Sequence, residues 1–481
     1  MKTFSKMAVM AICLLLTAIF TSACGGGKST PPNNSALYYF LAQQNNQQQN
    51  NQQQENNQQQ ENNQQEENNN NQQESNNEEE TANNTEVTLT LTDSLNADKI
   101  ASADIFYSIE NNTKSSDDDK EISKATPNND DKTKFTVKVP DGIDFAKAKI
   151  KAILTYDSEG NLLDYFSSYE GIETTNGTFD VDFENKNGDF AGGTGTDTDP
   201  YIISQPRHFA NINKQDEDGS YPYLDKNFKQ EKDLDFSHLT GLKVIKAEKD
   251  KDITIETVNE KAPFFNNGKG MPSIGKINPE ELYFNSGNEE SIAEYTKYFF
   301  KGNYDGQNHT IDGLTFVNEG ENIRLPYAIY IEISVFGRIY KGSAKNITIG
   351  ENSIFFIDNV EYPEKTTLNL LGIYGGVFLS TVENCTNNAK VVVKNIQCQS
   401  LFITGIACNM YGSNYKNCTN NGNITIDNVE SDYIDIYQLI YTYDDSTIID
   451  SCNYTGVITV DGEQIEGETY QYTNPNHEDR I

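Results

Sequence analysis

Asn384-Cys385-Thr386-Asn387, Asn417-Cys418-Thr419-Asn420 and Ser451-Cys452-Asn453-Tyr454 are copies of one short pattern, and Asn346-Ile347-Thr348-Ile349 is a fourth. Gly313-Leu314-Thr315-Phe316 aligns upstream. The starts at 313, 346, 384, 417 and 451 are then separated by 33, 38, 33 and 34 residues. One such repeat of short β-prone stretches cannot bury its own apolar face, so successive repeats must stack as a solenoid. At about 4.8 Å per stacked strand, four steps build roughly 20 Å of rod. Stacking aligns equivalent residues. Cys385, Cys418 and Cys452 are expected to form an inward column of small apolar side chains, with a disulfide between neighbouring rungs as the alternative. Asn346, Asn384 and Asn417 are expected to form a hydrogen-bonded turn ladder.

Upstream, the chain changes character twice. Gln43 to Asn84 is almost wholly Gln, Asn and Glu, with no apolar side chain larger than Ala82. Such a tract cannot offset its ordering entropy and is expected to be a disordered tether over 25–84, roughly 40 Å end to end on average. Before it, Lys2 and Lys6 precede the apolar run Ala8–Phe20, which is too short to span a bilayer. Thr21-Ser22-Ala23-Cys24-Gly25 resembles a bacterial lipobox, with Thr21 where that motif usually has Leu. The resemblance implies a signal peptide over 1–24, a lipidated Cys24 and an outer-membrane address; plain secretion after Ala23 is the alternative.

The 481 residues carry 72 acidic and 37 basic side chains, a net charge of −35. That excludes a nucleic-acid partner, because backbone binding needs a basic face. Trp is absent, while Tyr (27) and Phe (24) are plentiful, which favours strands.

Between tether and repeats, residues 85–185 alternate with period two. Val87/Leu89/Leu91, Phe135/Val137/Val139, Ala148/Ile150/Ala152/Leu154 and Phe179/Val181/Phe183 each predict a strand with one buried face. Together they predict a small immunoglobulin-like β-sandwich acting as a spacer. Asn111–Asp131 reads as an acidic loop, and Asp117-Asp118-Asp119 lacks the spacing of an EF-hand.

Asp189–Ser204 runs from a glycine-rich turn through Asp199-Pro200-Tyr201 into an apolar strand, then Gln205-Pro206-Arg207-His208 begins a short helix. Ser204 is the expected N-cap, and His208 is expected on the surface of the cap. The glycine turn resembles the start of pectin-lyase-like right-handed β-helices. Tyr304-Asp305-Gly306-Gln307-Asn308-His309-Thr310-Ile311-Asp312-Gly313-Leu314 resembles GLUG-type surface repeat proteins. So do Ser334–Ile339, Gly372–Val377 and the weaker Gly405–Cys408. The resemblance implies a right-handed parallel β-helix over 186–465, with 243–270 and 276–298 projecting as loops and 466–481 as a tail. The fold class expected is all-β: tether, sandwich, β-helix.

Hydrolysis of a polysaccharide needs converging carboxylates, and a lyase needs a base with a cation. The clearest acidic pair is Asp444-Asp445 with Asp450 nearby, but adjacent strand residues point to opposite faces. Asp305 and His309 read as turn residues, and Arg338 as a lone cation. No catalytic residue, metal site or cofactor is expected. The remaining signal is a stripe: Tyr433, Tyr437, Tyr441 and Tyr443 share a parity opposite Ile434, Ile436 and Ile440. It is the candidate binding surface, for a host protein or a glycan. The functional expectation is a lipid-anchored, surface-exposed, adhesin-like protein without enzymatic activity. The alternatives are a carbohydrate-active β-helix enzyme and a structural envelope component.

Overall fold

A computed structural model of the chain describes residues 86–109, 120–138, 147–175, 177–245, 253–275, 296–317, 321–324, 329–363, 365–442 and 445–473. The expected signal segment with Cys24, the expected tether, Asp117–Asp119, Val139, 276–295 of the second expected loop, Tyr443 and Asp444 lie outside them.

Two four-stranded sheets form the N-terminal part. One holds Glu86–Thr92 between Asp131–Lys138, antiparallel, and Thr178–Asp182, parallel, with Pro127–Asn128 at its edge. The other holds Ser102–Ile109 between Lys120–Ala125 and Ala148–Tyr156, with Leu162–Glu173 beyond. Leu89, Leu91, Ile105, Phe135, Phe179 and Val181 fill the space between the sheets, so this is a sandwich. Strand Lys120–Ala125 falls inside the segment that polarity alone marks as loop, because an exposed edge strand needs little apolar content.

A second difference decides how the sandwich is used. The alternation in Ala148–Tyr156 breaks at a register shift between Ile150 and Ala152. Ala148, Ile150 and Ile153 face the sandwich core, whereas Ala152, Leu154 and Tyr156 belong to the solenoid core. An irregularity that slips the pairing by one residue sends later side chains to the other face. The sandwich is therefore docked on the solenoid and shares part of its core. The joint includes Arg207 Nη1 to Asp164 Oδ1 at 2.6 Å, with the Asp164 side chain fully buried. It also stacks Phe106 on His238 at 4.8 Å.

The solenoid is built from parallel strands in register. One sheet stacks Tyr201–Ile203, Asn227–Gln230, Asn303–Asp305, Ser343–Lys345, Thr381–Glu383, Asn414–Lys416 and Ile448–Asp450. The next stacks Leu234–Asp235, Thr310–Asp312, Thr348–Ile349, Thr386–Asn387, Thr419–Asn420 and Asn453–Tyr454. The column Phe228–Tyr304–Ala344–Val382–Tyr415–Ile449 runs through the core; all are buried except Ile449, on the last rung. About four turns lie between residues 303 and 460.

The repeat alignment holds for the last four copies and fails for the first. Thr310 pairs with Thr348, which places Asn308, not Gly313, opposite Asn346. That step is 38 residues. Gly313 instead follows the strand Thr310–Asp312, where its positive φ of 71° opens the next turn. The asparagine ladder forms as expected: Asn417 Nδ2 donates to Asn384 Oδ1 (3.1 Å), Asn384 Nδ2 to Asn346 Oδ1 (2.9 Å), and Asn346 Nδ2 to Asp305 Oδ1 (2.8 Å). All three asparagines sit at φ between 53° and 57°, a region Asn tolerates better than other side-chain-bearing residues. A second ladder, Asn428 to Asn395 to Asp358, turns the corner inside the long strands Lys390–Thr404 and Ile424–Tyr437.

Both ends of the stack are closed at least in part. Helix Pro206–Asn211 sets Phe209 edge-on against Phe236, Tyr304 and Phe336. Gln205, not Ser204, is its N-cap, and no side-chain cap bond forms there. His208 is fully buried rather than on the surface of the cap, because the helix is pressed between rungs and sandwich. The 243–270 insert does not project either. Leu242–Ile245 and Thr254–Thr257 pair as a hairpin that lies on the sheet over Val317, Phe356 and Val392. At the far end, Thr469–Thr473 pairs antiparallel with Tyr433–Tyr437. Part of the expected tail is thus a strand that covers an otherwise open edge.

Candidate functional site

Two faces of the solenoid meet in a re-entrant corner. On the first face lie Ile329–Ile333, Thr366–Leu370, the end of Lys390–Thr404, the end of Ile424–Tyr437, and Thr469–Thr473. On the second lie Phe336–Tyr340, Tyr374–Phe378, Ala407–Tyr411 and Ile440–Thr442. Alternation on the first face points Ile331, Leu368, Leu401, Ile403, Ile434 and Ile436 into the core. It turns Glu332, Asn369, Phe402, Asp435 and Tyr437 outward, each half-buried. On the second face Ile339 and Val377 are core residues, and the row Arg338–Gly376–Cys408–Tyr441 faces out.

Outward side chains of the two faces touch one another, which is possible only where the faces form a groove. Phe402 and Tyr441 meet edge to face at 4.9 Å, Tyr437 and Tyr441 at 4.8 Å, and Phe402 and Tyr437 at 5.7 Å. One end of the same groove holds an ion pair between Arg338 and Glu332. Gly376 stands next to Arg338, and a Cβ there would lie 2.1 Å from the guanidinium, so only glycine leaves the arginine its place. Burial raises the Tyr437 and Tyr441 hydroxyls above the usual phenol range and pushes the Cys408 thiol up to about 12. All three are neutral at physiological pH. Gln471 Nε2 donates to both Tyr437 Oη (2.9 Å) and Asp435 Oδ1 (3.1 Å), tying the terminal strand to the wall.

Of the four tyrosines of the stripe, Tyr433 and Tyr437 lie at the end of Ile424–Tyr437, Tyr441 lies in Ile440–Thr442, and Tyr443 is outside the described residues. Tyr437 and Tyr441 are in contact, and Tyr433 lies on the face of Tyr437, four positions upstream. Sequence reasoning missed Phe402, Asp435, Gln471 and Glu332. Phe402 carries a readable signal, since it alternates with Leu401 and Ile403 and stands one repeat before Asp435.

Other candidates settle into the scaffold. Asp305 Oδ1 accepts from Asn346 and from Gln307 N (3.0 Å), and His309 Nδ1 lies 3.2 Å from Asp233. Asp305 ends the strand Asn303–Asp305, and His309 follows the turn at Gln307–Asn308. Asp445 and Asp450 are exposed near the last rung. The cysteine column forms: Cys385 and Cys418 are fully buried, Cys452 is half-buried at the end, and all five described cysteines are free thiols. The hydrogen bond with Cys385 pushes the Cys418 thiol up to about 12, and burial holds Cys398 at about 11. Both are thiols rather than thiolates at neutral pH. Among the described residues no group of three His, Cys, Asp or Glu side chains could hold a metal.

No family model matches the chain, and no curated protein is similar to it. Among solved structures it is similar to "a putative immunoglobulin A1 protease from Bacteroides ovatus", at 14% identity and a TM-score of 0.25. The match covers 58% of this chain and 82% of that one.

Proposed function

We propose that the protein is a lipid-anchored recognition protein of the bacterial outer surface, adhesin-like and without enzymatic activity, and that its groove is the recognition site. The reading is carried by the contact of outward rings from two solenoid faces at Phe402, Tyr437 and Tyr441. Half-exposed aromatic rings in a rigid re-entrant corner are suited to holding a ligand at low entropic cost. The carboxylates of the groove support binding over hydrolysis. Glu332 and Asp435 stand three rungs apart, about 14 Å at the strand spacing. Paired glycosidase carboxylates need roughly 5–9.5 Å. The lipobox-like Thr21–Gly25 and the Gln/Asn-rich tether support an anchor with a head held off the membrane. The GLUG-like stretches Ser334–Ile339 and Gly372–Val377 supply the corner and floor of the groove.

Intact cells treated with a Glu-specific protease test the location, because Gln43–Asn84 contains glutamates but no Lys or Arg. Release of the head with a periplasmic marker left uncut is the expected result. A head cut only after lysis would move the protein inside the envelope and defeat the adhesin reading.

A further inference from the structure

We infer that the ligand of the groove is an uncharged glycan, an inference that rests on the reading of this head as a recognition module. Three observations converge on that chemistry. First, the strands that carry Phe402 and Tyr437 are paired on both sides, and the unpaired edges at this end belong to Ile440–Thr442 and Thr469–Thr473. Lys390–Thr404 pairs with Thr366–Leu370 on one side and Ile424–Tyr437 on the other, and Tyr433–Tyr437 is covered by Thr469–Thr473. An extended peptide adding as a strand needs an unpaired edge for its main-chain hydrogen bonds, so a ligand lying over Phe402 and Tyr437 is held by side chains.

Second, the charge excludes anions. Arg338, a cation at one end of the groove, is already paired with Glu332, while Asp435 adds a negative charge at the ring cluster. The chain as a whole carries −35. Uronic, sialic or sulfated polymers would meet repulsion from Asp435 at the ring cluster, with Arg338 already paired.

Third, the ring cluster comes with directed polar groups. The Tyr437 oxygen already accepts from Gln471 Nε2, so its own proton is available to donate, and the Asp435 carboxylate supplies acceptors beside it. Aromatic faces flanked by a hydroxyl donor and a carboxylate acceptor match a pyranose, which has an apolar ring face and hydroxyls that both donate and accept.

The full-length mature chain is applied to a panel of uncharged and anionic oligosaccharides and of purified extracellular proteins, alongside Tyr441→Ala and Tyr441→Phe. Binding confined to uncharged glycans is expected. Loss of the Tyr441 ring should weaken it about tenfold, in line with an aromatic contact of about 1.4 kcal/mol. Tyr441→Phe should stay within about threefold. Urea midpoints of the variants control for folding. Binding only to anionic glycans, or uncharged-glycan binding that Tyr441→Ala leaves intact while the variant folds, overturns the inference. Binding to a purified protein but no glycan, lost in Tyr441→Ala, overturns the glycan and leaves the recognition reading standing. Failure to bind any member of the panel defeats both.

Discussion

Acid should loosen the capping helix through one side chain, His208. Its ring is fully buried beneath the first rungs, 6.4 Å from the Phe190 ring. Nδ1 accepts from Ser204 N at 3.3 Å, which leaves the proton on Nε2, where it has no partner. Burial is the main cause that lowers the imidazole from 6.5 to about 3, with the Arg207 and Lys232 charges adding and Asp189 opposing. A histidine depressed in the folded state contributes stability that is complete above its unfolded value and is lost as pH falls toward the folded one. The full swing from 6.5 to about 3 is worth about 5 kcal/mol at 1.36 kcal/mol per unit. Between about pH 7.5 and pH 5 the same relation gives a loss of roughly 2 kcal/mol. Other groups titrate in this range too, so the quantity to measure is a difference. Urea unfolding of wild type and His208→Gln, followed by tyrosine fluorescence, gives the stability of each at both pH values. The wild type should lose about 2 kcal/mol more than the variant on acidification. A wild-type-minus-variant difference that stays flat to within about 0.5 kcal/mol would refute the argument, because a buried neutral imidazole cannot avoid that slope.

Breaking the joint between sandwich and solenoid by Arg207→Ala should cost about 3–5 kcal/mol in urea unfolding, since it strands the Asp164 carboxylate in a fully buried site. A cost below about 1 kcal/mol would mean the joint is solvated. On the asparagine ladder, Asn384→Ala removes two side-chain hydrogen bonds and forces alanine into the left-handed region, for about 2–4 kcal/mol. Asn384→Gly removes the same bonds without that strain and should cost about 1–2 kcal/mol; equal losses would argue against strain at this turn. With a thiol reagent at neutral pH, Cys385, Cys398, Cys408 and Cys418 should react only after unfolding, as all four are buried. Rapid labelling of any of these four in the native protein would contradict the column.

Much of the architecture can be read from local pattern. Side-chain alternation identifies the sandwich strands, and the near-constant spacing of Asn384, Asn417 and Ser451 identifies the stack. Both signals are legible because a strand has a period of two and a solenoid brings equivalent residues together once per turn. The readings that missed share one cause. Gly313 resembles a repeat start in composition, but only inter-strand pairing shows that Asn308 holds that place. Ala152 and Leu154 continue an alternation that a register shift has already inverted. His208 looks like a polar cap residue until the sandwich and the first rungs close over it.

The groove divides the same way. The parity of Tyr433, Tyr437 and Tyr441 follows from one strand and the turn after it, so the sequence alone turns them outward. Their meeting with Phe402, and the pairing of Arg338 with Glu332, depend on the angle between two faces. That angle is set at the corner residues Gly405–Ile406 and Gln438–Leu439, where Asn387 Nδ2 donates to Gly405 O and Asn420 Nδ2 to Gln438 Oε1, and by how the core packs behind them. A strand's periodicity is a property of its own backbone, whereas a re-entrant corner belongs to several rungs at once, which is why only the tertiary structure decides it.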